Sequence, residues 1–154
     1  RVDLVRSQVA IAVKSGLPVP AITTAADVRR AVLNAASIGY STGPSGTALL
    51  ALFERWGITA EIKSKLRQAP AGVPVAVMVA NGDVALGFQQ RSEMIDAPGI
   101  NVIGDLPTEI AIETIFSGGV CAASSRVAEA RALLGAFAAP AHAGIKTKHG
   151  MAAI

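Results

Sequence analysis

The sequence predicts an α/β domain in which a mainly parallel sheet is covered by helices on both faces. Two observations carry this expectation. Short runs rich in β-branched residues alternate along the 154 residues with segments whose apolar residues recur at helical spacing. Hydrophobic residues make up 51% of the chain and aromatics only 4%, so layers of Ala and Val between helix and sheet suit it better than a barrel packed with rings.

Residues 4–13, LVRSQVAIAV, read as a strand that runs out into the loop KSGLPVP. Thr24 with Asp27 three positions on forms a capping box, and Val28, Ala31, Val32 and Ala35 give the following helix its apolar stripe. SIGYS is a short buried strand. Beyond it, Leu49, Leu52, Phe53 and Trp56 lie on one helical face that Gly57 ends.

IKSKLRQ, residues 62–68, reads as an exposed strand. Gly72 and Pro74 open a short helix that Asn81 and Gly82 stop. VPVAVMVA would also spell a strand, but a helix supplies the crossover that parallel neighbours need. VALGFQ is then a strand, SEMID a short helix, INVIG a strand and ETIFSGGVCAASS a longer extended segment. A helix capped by Ser124 or Ser125 carries Val127, Ala130, Leu134 and Phe137 to Pro140, and a last helix covers 141–149.

Net charge is +3, unevenly spread: residues 1–68 hold nine Lys/Arg against four Asp/Glu, 69–113 one against six, and 114–154 four against one. Alternating blocks of this kind describe solvated faces rather than a continuous phosphate-tracking stripe, so no nucleic-acid partner is expected. No apolar run approaches the ~20 residues that cross a bilayer. A single cysteine, Cys121, makes no internal disulfide. His142 and His149 have no third ligand at metal spacing, so neither a metal nor a cofactor is expected.

The loop STGPSGT, residues 41–47, holds more small and hydroxylated residues than a turn requires. A helix N-terminus carries unpaired N–H groups and a partial positive charge, and can hold an anion without Lys or Arg. Gly43 and Gly46 allow close backbone approach, and Ser41, Thr42, Ser45 and Thr47 add hydroxyls. The loop is neither a P-loop nor a dinucleotide fingerprint, because the Gly-Lys-Ser/Thr and GxGxxG spacings are absent. Gly72 and Val73 open the next helix, and Gln89 and Gln90 end a strand with amides that donate to an oxyanion or accept from a hydroxyl. No GxSxG elbow occurs, and Glu109 and Glu113 read as surface charge, so no catalytic residue is assigned.

The segments SIGYSTGPSGTALLALFERWGI, GVPVAVMVANGDVALGFQQRSEM, INVIGDLPTEI and SSRVAEARALLGAFAAPAHAGI, in this order and spacing, resemble the molybdate-type periplasmic substrate-binding proteins of ABC importers, within the wider extracellular solute-binding family. The resemblance implies a periplasmic-binding-protein-like lobe that closes with a second lobe over an anion held by amides and hydroxyls. It places Ser45 at the helix start, Gly72 and Val73 at the next helix-opening amides, and Gln90 where molybdate binders carry a tyrosine. Ser41, Thr42, Gly46 and Gln89, read from the loop and strand-end chemistry above, join them in the candidate ligand-binding set. An amide in place of the phenol points toward another small anion, such as an organic carboxylate.

The same resemblance divides the chain into residues 1–118, the second lobe with its entering hinge strand, and 119–154, the return hinge strand and C-terminal helices of the first lobe. The first part of a complete member would precede Arg1. Without the sheet it supplies, Val127, Leu134 and Phe137 lack a partner, which predicts self-association. An ABC permease partner and a periplasmic or secreted location follow by resemblance alone. Two alternatives share the fold: an aconitate-isomerase-like enzyme and the effector-sensing domain of a transcription regulator.

Overall fold

The computed structural model describes Arg1–Ile154. Strand β1 (Val2–Lys14) is followed by α1 (Ala25–Asn34), β2 (Ile38–Tyr40), α2 (Pro44–Arg55), the single turn α3 (Thr59–Ile62) and β3 (Leu66–Gln68). Then come α4 (Val75–Asn81), β4 (Leu86–Gln90), the single turn α5 (Arg91–Met94), β5 (Ile100–Asp105), β6 (Glu113–Gly118), α6 (Val127–Ala138) and α7 (Ala143–Lys148). No helix is long and apolar enough to cross a membrane.

The α/β class holds, with one sheet of strand order β3-β2-β4-β1-β5 and β6 paired to β1. The expected mainly parallel pairing does not. β2 pairs in parallel with β3 and β4, whereas β1 pairs antiparallel with β4, β5 and β6. Only β1 runs against the others, but it sits in the middle and so reverses three pairings. The alternation of element types specifies that α1 lies between β1 and β2; it does not specify which way the Pro-containing coil of residues 15–24 turns the chain before that helix starts.

β1 organises the core through its alternation. Val9, Ile11 and Val13 face the cluster built from Val28 and Val32 of α1, Leu49, Leu52 and Phe53 of α2, and Ile38, Leu86 and Phe88 of the sheet. Ala10 and Ala12 face the other way, onto Ala76 of α4 and Met94 of α5. Small residues on that face bring the second helical layer close. In β4, Gly87 does the same, since a Cβ there would stand 2.4 Å from a Val79 methyl carbon. Helices therefore cover both faces, and burying each large side chain contributes roughly 1.5–3 kcal/mol.

Local chemistry explains the boundaries. The Thr24 hydroxyl accepts from the Asp27 N–H at 3.1 Å and the Asp27 carboxylate accepts from the Thr24 N–H at 3.1 Å, so the capping box is present. Only Leu66–Gln68 of the expected strand at 62–68 is extended; Ile62 is drawn into α3 because its side chain is fully buried in the core. The extended segment expected over 113–125 stops at Gly118. α6 is capped by Arg126 rather than by a serine, although Ser124 Oγ accepts the Arg126 N–H at 3.1 Å.

The last part of the chain is thinly covered. α6 buries none of its residues, and Val127, Leu133 and Phe137 are exposed along with Ile115 and Phe116 of β6. Leu134, the third residue of the expected apolar face, is half-buried against Gly118.

Candidate functional site

Strands β3, β2 and β4 run in the same direction, so their carboxyl ends share one edge of the sheet, the edge at which open α/β sheets place ligands. From the end of β2, residues 41–43 lead into α2. Pro44 occupies the first helical position, where its missing N–H costs nothing. Gly43 is the N-cap, with no side-chain cap and no acidic residue in the first turn. The N–H groups of Gly46 and Thr47 turn inward to Gly43 O at 3.0 and 3.2 Å. Those of Thr42, Gly43 and Ser45 have no backbone acceptor, and remain available.

Ser45 is buried, with its Oγ 2.9 Å from Ser41 Oγ. Two hydroxyls so paired use one hydrogen between them and leave the other free to donate. Gly46 makes the arrangement possible: a Cβ there would stand 1.9 Å from the Ser41 carbonyl oxygen.

A cleft of about 410 Å³ opens beside this turn. Of the eight residues proposed from sequence, Ser41, Thr42, Ser45, Gly72, Val73, Gln89 and Gln90 line it. Gly46 does not; it is buried beneath Ser41 and its amide is spent on Gly43, so its part is to let the loop close. Val73 lines the cleft, but its N–H donates to Pro70 O at 3.0 Å and is not a free helix-opening amide. The helix beyond it starts at Val75, whose N–H donates to Gln89 Oε1 at 2.7 Å. At the second helix start the Val73 and Val75 amides are thus taken, whereas the N–H of Gly72, which lines the cleft, has no acceptor within the chain.

Gln89 Nε2 donates to the Glu93 carboxylate, and Gln90 Nε2 to Thr114 Oγ1. Gln90 is 4% exposed, and its Oε1 is buried without a hydrogen-bond partner. Glu93, Thr114 and Phe116 also line the cleft and were not singled out from sequence. Glu93 stands four residues after Gln89, a spacing that was available as a signal. Thr114 and Phe116 arrive through the pairing of β6 with β1, which sequence does not reveal. No Lys, Arg or His lines the cleft, and Glu93 is its one ionisable side chain. No three His, Cys, Asp or Glu side chains gather as a metal site.

The arrangement is a donor-rich wall of hydroxyls and amides around the start of α2, facing a wall of carboxamides and one carboxylate. An oxyanion or carboxylate fits the first wall.

Comparison with known proteins agrees with the architecture. A curated aconitate isomerase from Pseudomonas sp is 38% identical over 135 residues, covering 87% of this chain and 51% of that protein; the chain thus spans about half the length of this relative. Among solved structures, the substrate-binding domain of a proposed molybdenum ABC transporter from Clostridium difficile superposes with a TM-score of 0.76 at 16% identity, over 99% of this chain and 66% of that one. The periplasmic molybdate-binding protein of Azotobacter vinelandii gives 0.65 at 17% identity, over 99% and 71%. At such identities the superpositions establish the fold. The family model for bacterial extracellular solute-binding proteins matches residues 1–152, and the chain belongs to that family.

Proposed function

We propose that the cleft binds a small anion, an oxyanion such as molybdate or an organic carboxylate, and that the protein of which this chain forms a lobe is the substrate-binding component of an ABC importer working outside the cytoplasmic membrane. The observation that carries the reading is the uncapped start of α2, with the Ser41 and Ser45 hydroxyls paired at its mouth and no basic side chain nearby. Residues 1–118 act as the second lobe and 119–154 belong to the first. The exposed face of Val127, Leu133 and Phe137 supports self-association when that lobe is incomplete.

Calorimetric titration with molybdate, tungstate, sulfate, phosphate, citrate and aconitate tests this. Heat of binding to at least one, lost in Ser45→Ala, is the expected result. Absence of binding to all six overturns it.

The identity to an aconitate isomerase across most of the chain favours a second reading, an enzyme acting on a small tricarboxylate. Glu93, the one ionisable group of the cleft, would then carry the proton. Incubation with cis- or trans-aconitate, followed by NMR, decides it; no interconversion removes this reading.

A further inference from the structure

Ser7 does not line the cleft, yet it is tied to residues that do. Its side chain is buried, and its hydroxyl both accepts and donates: Oγ takes the Ser92 N–H at 3.3 Å and gives its hydrogen to Gly150 O at 3.2 Å. α5, which starts at Arg91 directly after Gln90, has no side-chain cap of its own, so a serine from β1 takes one of its open amides. Across the β1–β6 ladder Ser7 stands opposite Thr114, whose Oγ1 accepts from Gln90 Nε2. Gln90 is thus held at its side chain by Thr114 and, two residues on, by Ser7. Glu93 follows on the same turn.

The far end of the Ser7 hydroxyl is anchored by residues 146–152. The Arg6 N–H donates to Ala152 O at 3.0 Å and the Ala152 N–H to Arg6 O at 2.8 Å, so this segment is bridged to β1 beside Ser7. Lys146 is buried, and its Nζ donates to Leu4 O at 3.0 Å, where the β1–β6 register shifts between Asp3 and Val5. Gly150, at φ +71°, packs so closely on α5 that a Cβ would stand 3.1 Å from both Arg91 C and Ser92 N.

A single helical turn cannot hold itself in place. Met94 fixes the inner side of α5 in the core, and Ser7 with Gly150 fixes its start. We propose that Ser7 is a positioning residue of the cleft, held by the turn at Gly150, and that residues 146–152 thereby set the affinity of a site they do not line. This rests on the small-anion reading above. Without the brace, Gln90 and Glu93 hold their places for a smaller fraction of the time, and apparent affinity falls with that fraction.

Hydrogen exchange by NMR on the whole chain, joined to titration with whichever of the six anions above wild type binds, tests this. Ser7→Ala and Gly150→Ala should speed exchange of the Ser92 and Ile95 amides roughly tenfold more than that of Val28 and Val32 in α1. Both should weaken anion binding about fivefold. Ser7→Thr, which keeps the hydroxyl, should restore both readouts toward wild type, and Val28→Ala, a core change in α1, should leave affinity within about twofold. Equal acceleration in α5 and α1, or unchanged affinity in both variants, overturns the positioning role and leaves the anion site standing. A wild type that binds none of the six anions removes the small-anion reading, and with it the affinity this role would set.

Discussion

The Gln89 side chain closes the start of a helix that begins at Val75, accepting that residue's backbone N–H at 2.7 Å in the interior. One glutamine thus positions α4 and, through its other end, the Glu93 carboxylate. Gln89→Leu leaves the Val75 N–H unpaired and should cost about 1–3 kcal/mol of stability in urea denaturation. Gln89→Glu keeps an acceptor for Val75 but sets a second carboxylate beside Glu93. It should retain more of the stability than Gln89→Leu while weakening anion binding. Equal losses for the two variants would count against the cap.

Two glycines of the anion loop have different tasks. At Gly46 a Cβ would meet the Ser41 carbonyl oxygen at 1.9 Å, whereas at Gly43 the nearest atom is 3.9 Å away and φ is −80°. Gly46→Ala should therefore cost about 1–3 kcal/mol or more by forcing the loop apart. Gly43→Ala should stay within ~0.5 kcal/mol. Denaturation midpoints of the pair, measured side by side, check the contrast.

Phe53 is fully buried and meets Phe88 edge to face, with ring centroids 6.2 Å apart at 81°. It couples α2 to β4, the two elements that flank the cleft. Phe53→Ala should lower stability by about 3–5 kcal/mol. The measurement is a urea titration, and a loss below ~1 kcal/mol would mean that the two elements are held together elsewhere.

Asp27 is held below the usual carboxylate range, first by the Thr24 side chain, then by the Thr24 backbone N–H and by Arg30 beside it. The folded value is depressed, so its contribution to stability is complete above the unfolded value near pH 4 and fades as pH falls through the folded value. Asp27→Asn should flatten that acid limb of the stability curve, with the protein less stable than wild type at neutral pH and the difference closing toward pH 2. Stability measured from pH 2 to 7 in both proteins reads this directly.

Self-association is checked by light scattering at micromolar concentration. Val127 and Phe137 are 40% and 52% exposed, and replacing both by Ser should shift the assembly toward monomer. A wild-type monomer overturns the proposal.

Much of this architecture was legible because its signals are local. Thr24 and Asp27 announce α1, the spacing Leu49, Leu52, Phe53 and Trp56 announces α2, and the crowding of small polar residues at 41–47 marks the turn between strand and helix. What was not legible depends on how each loop turns and on partners elsewhere in the chain. Whether the Val73 amide is free is decided by Pro70, and the Val75 amide is taken by Gln89. Thr114 reaches the cleft because β6 lies along β1. Strand direction is equally non-local, since β1 carries the same alternation of side chains whichever way it enters.

The central place of β1 bears on how the chain acquires its structure. It is the first strand of this chain, yet the strands that pair with its residues 2–14 all lie within 87–118, and Arg6 bridges Ala152 beyond them. During synthesis this stretch of Val, Ile and Ala leaves the ribosome well before the strands that pair with it, and its nearest pairing, Ala12 with Gly87, closes a loop of about half the chain. Such topology makes for slow folding and a prolonged interval of exposed, pairing-competent backbone. The nascent protein should accordingly depend on holding chaperones until residue 118 has emerged.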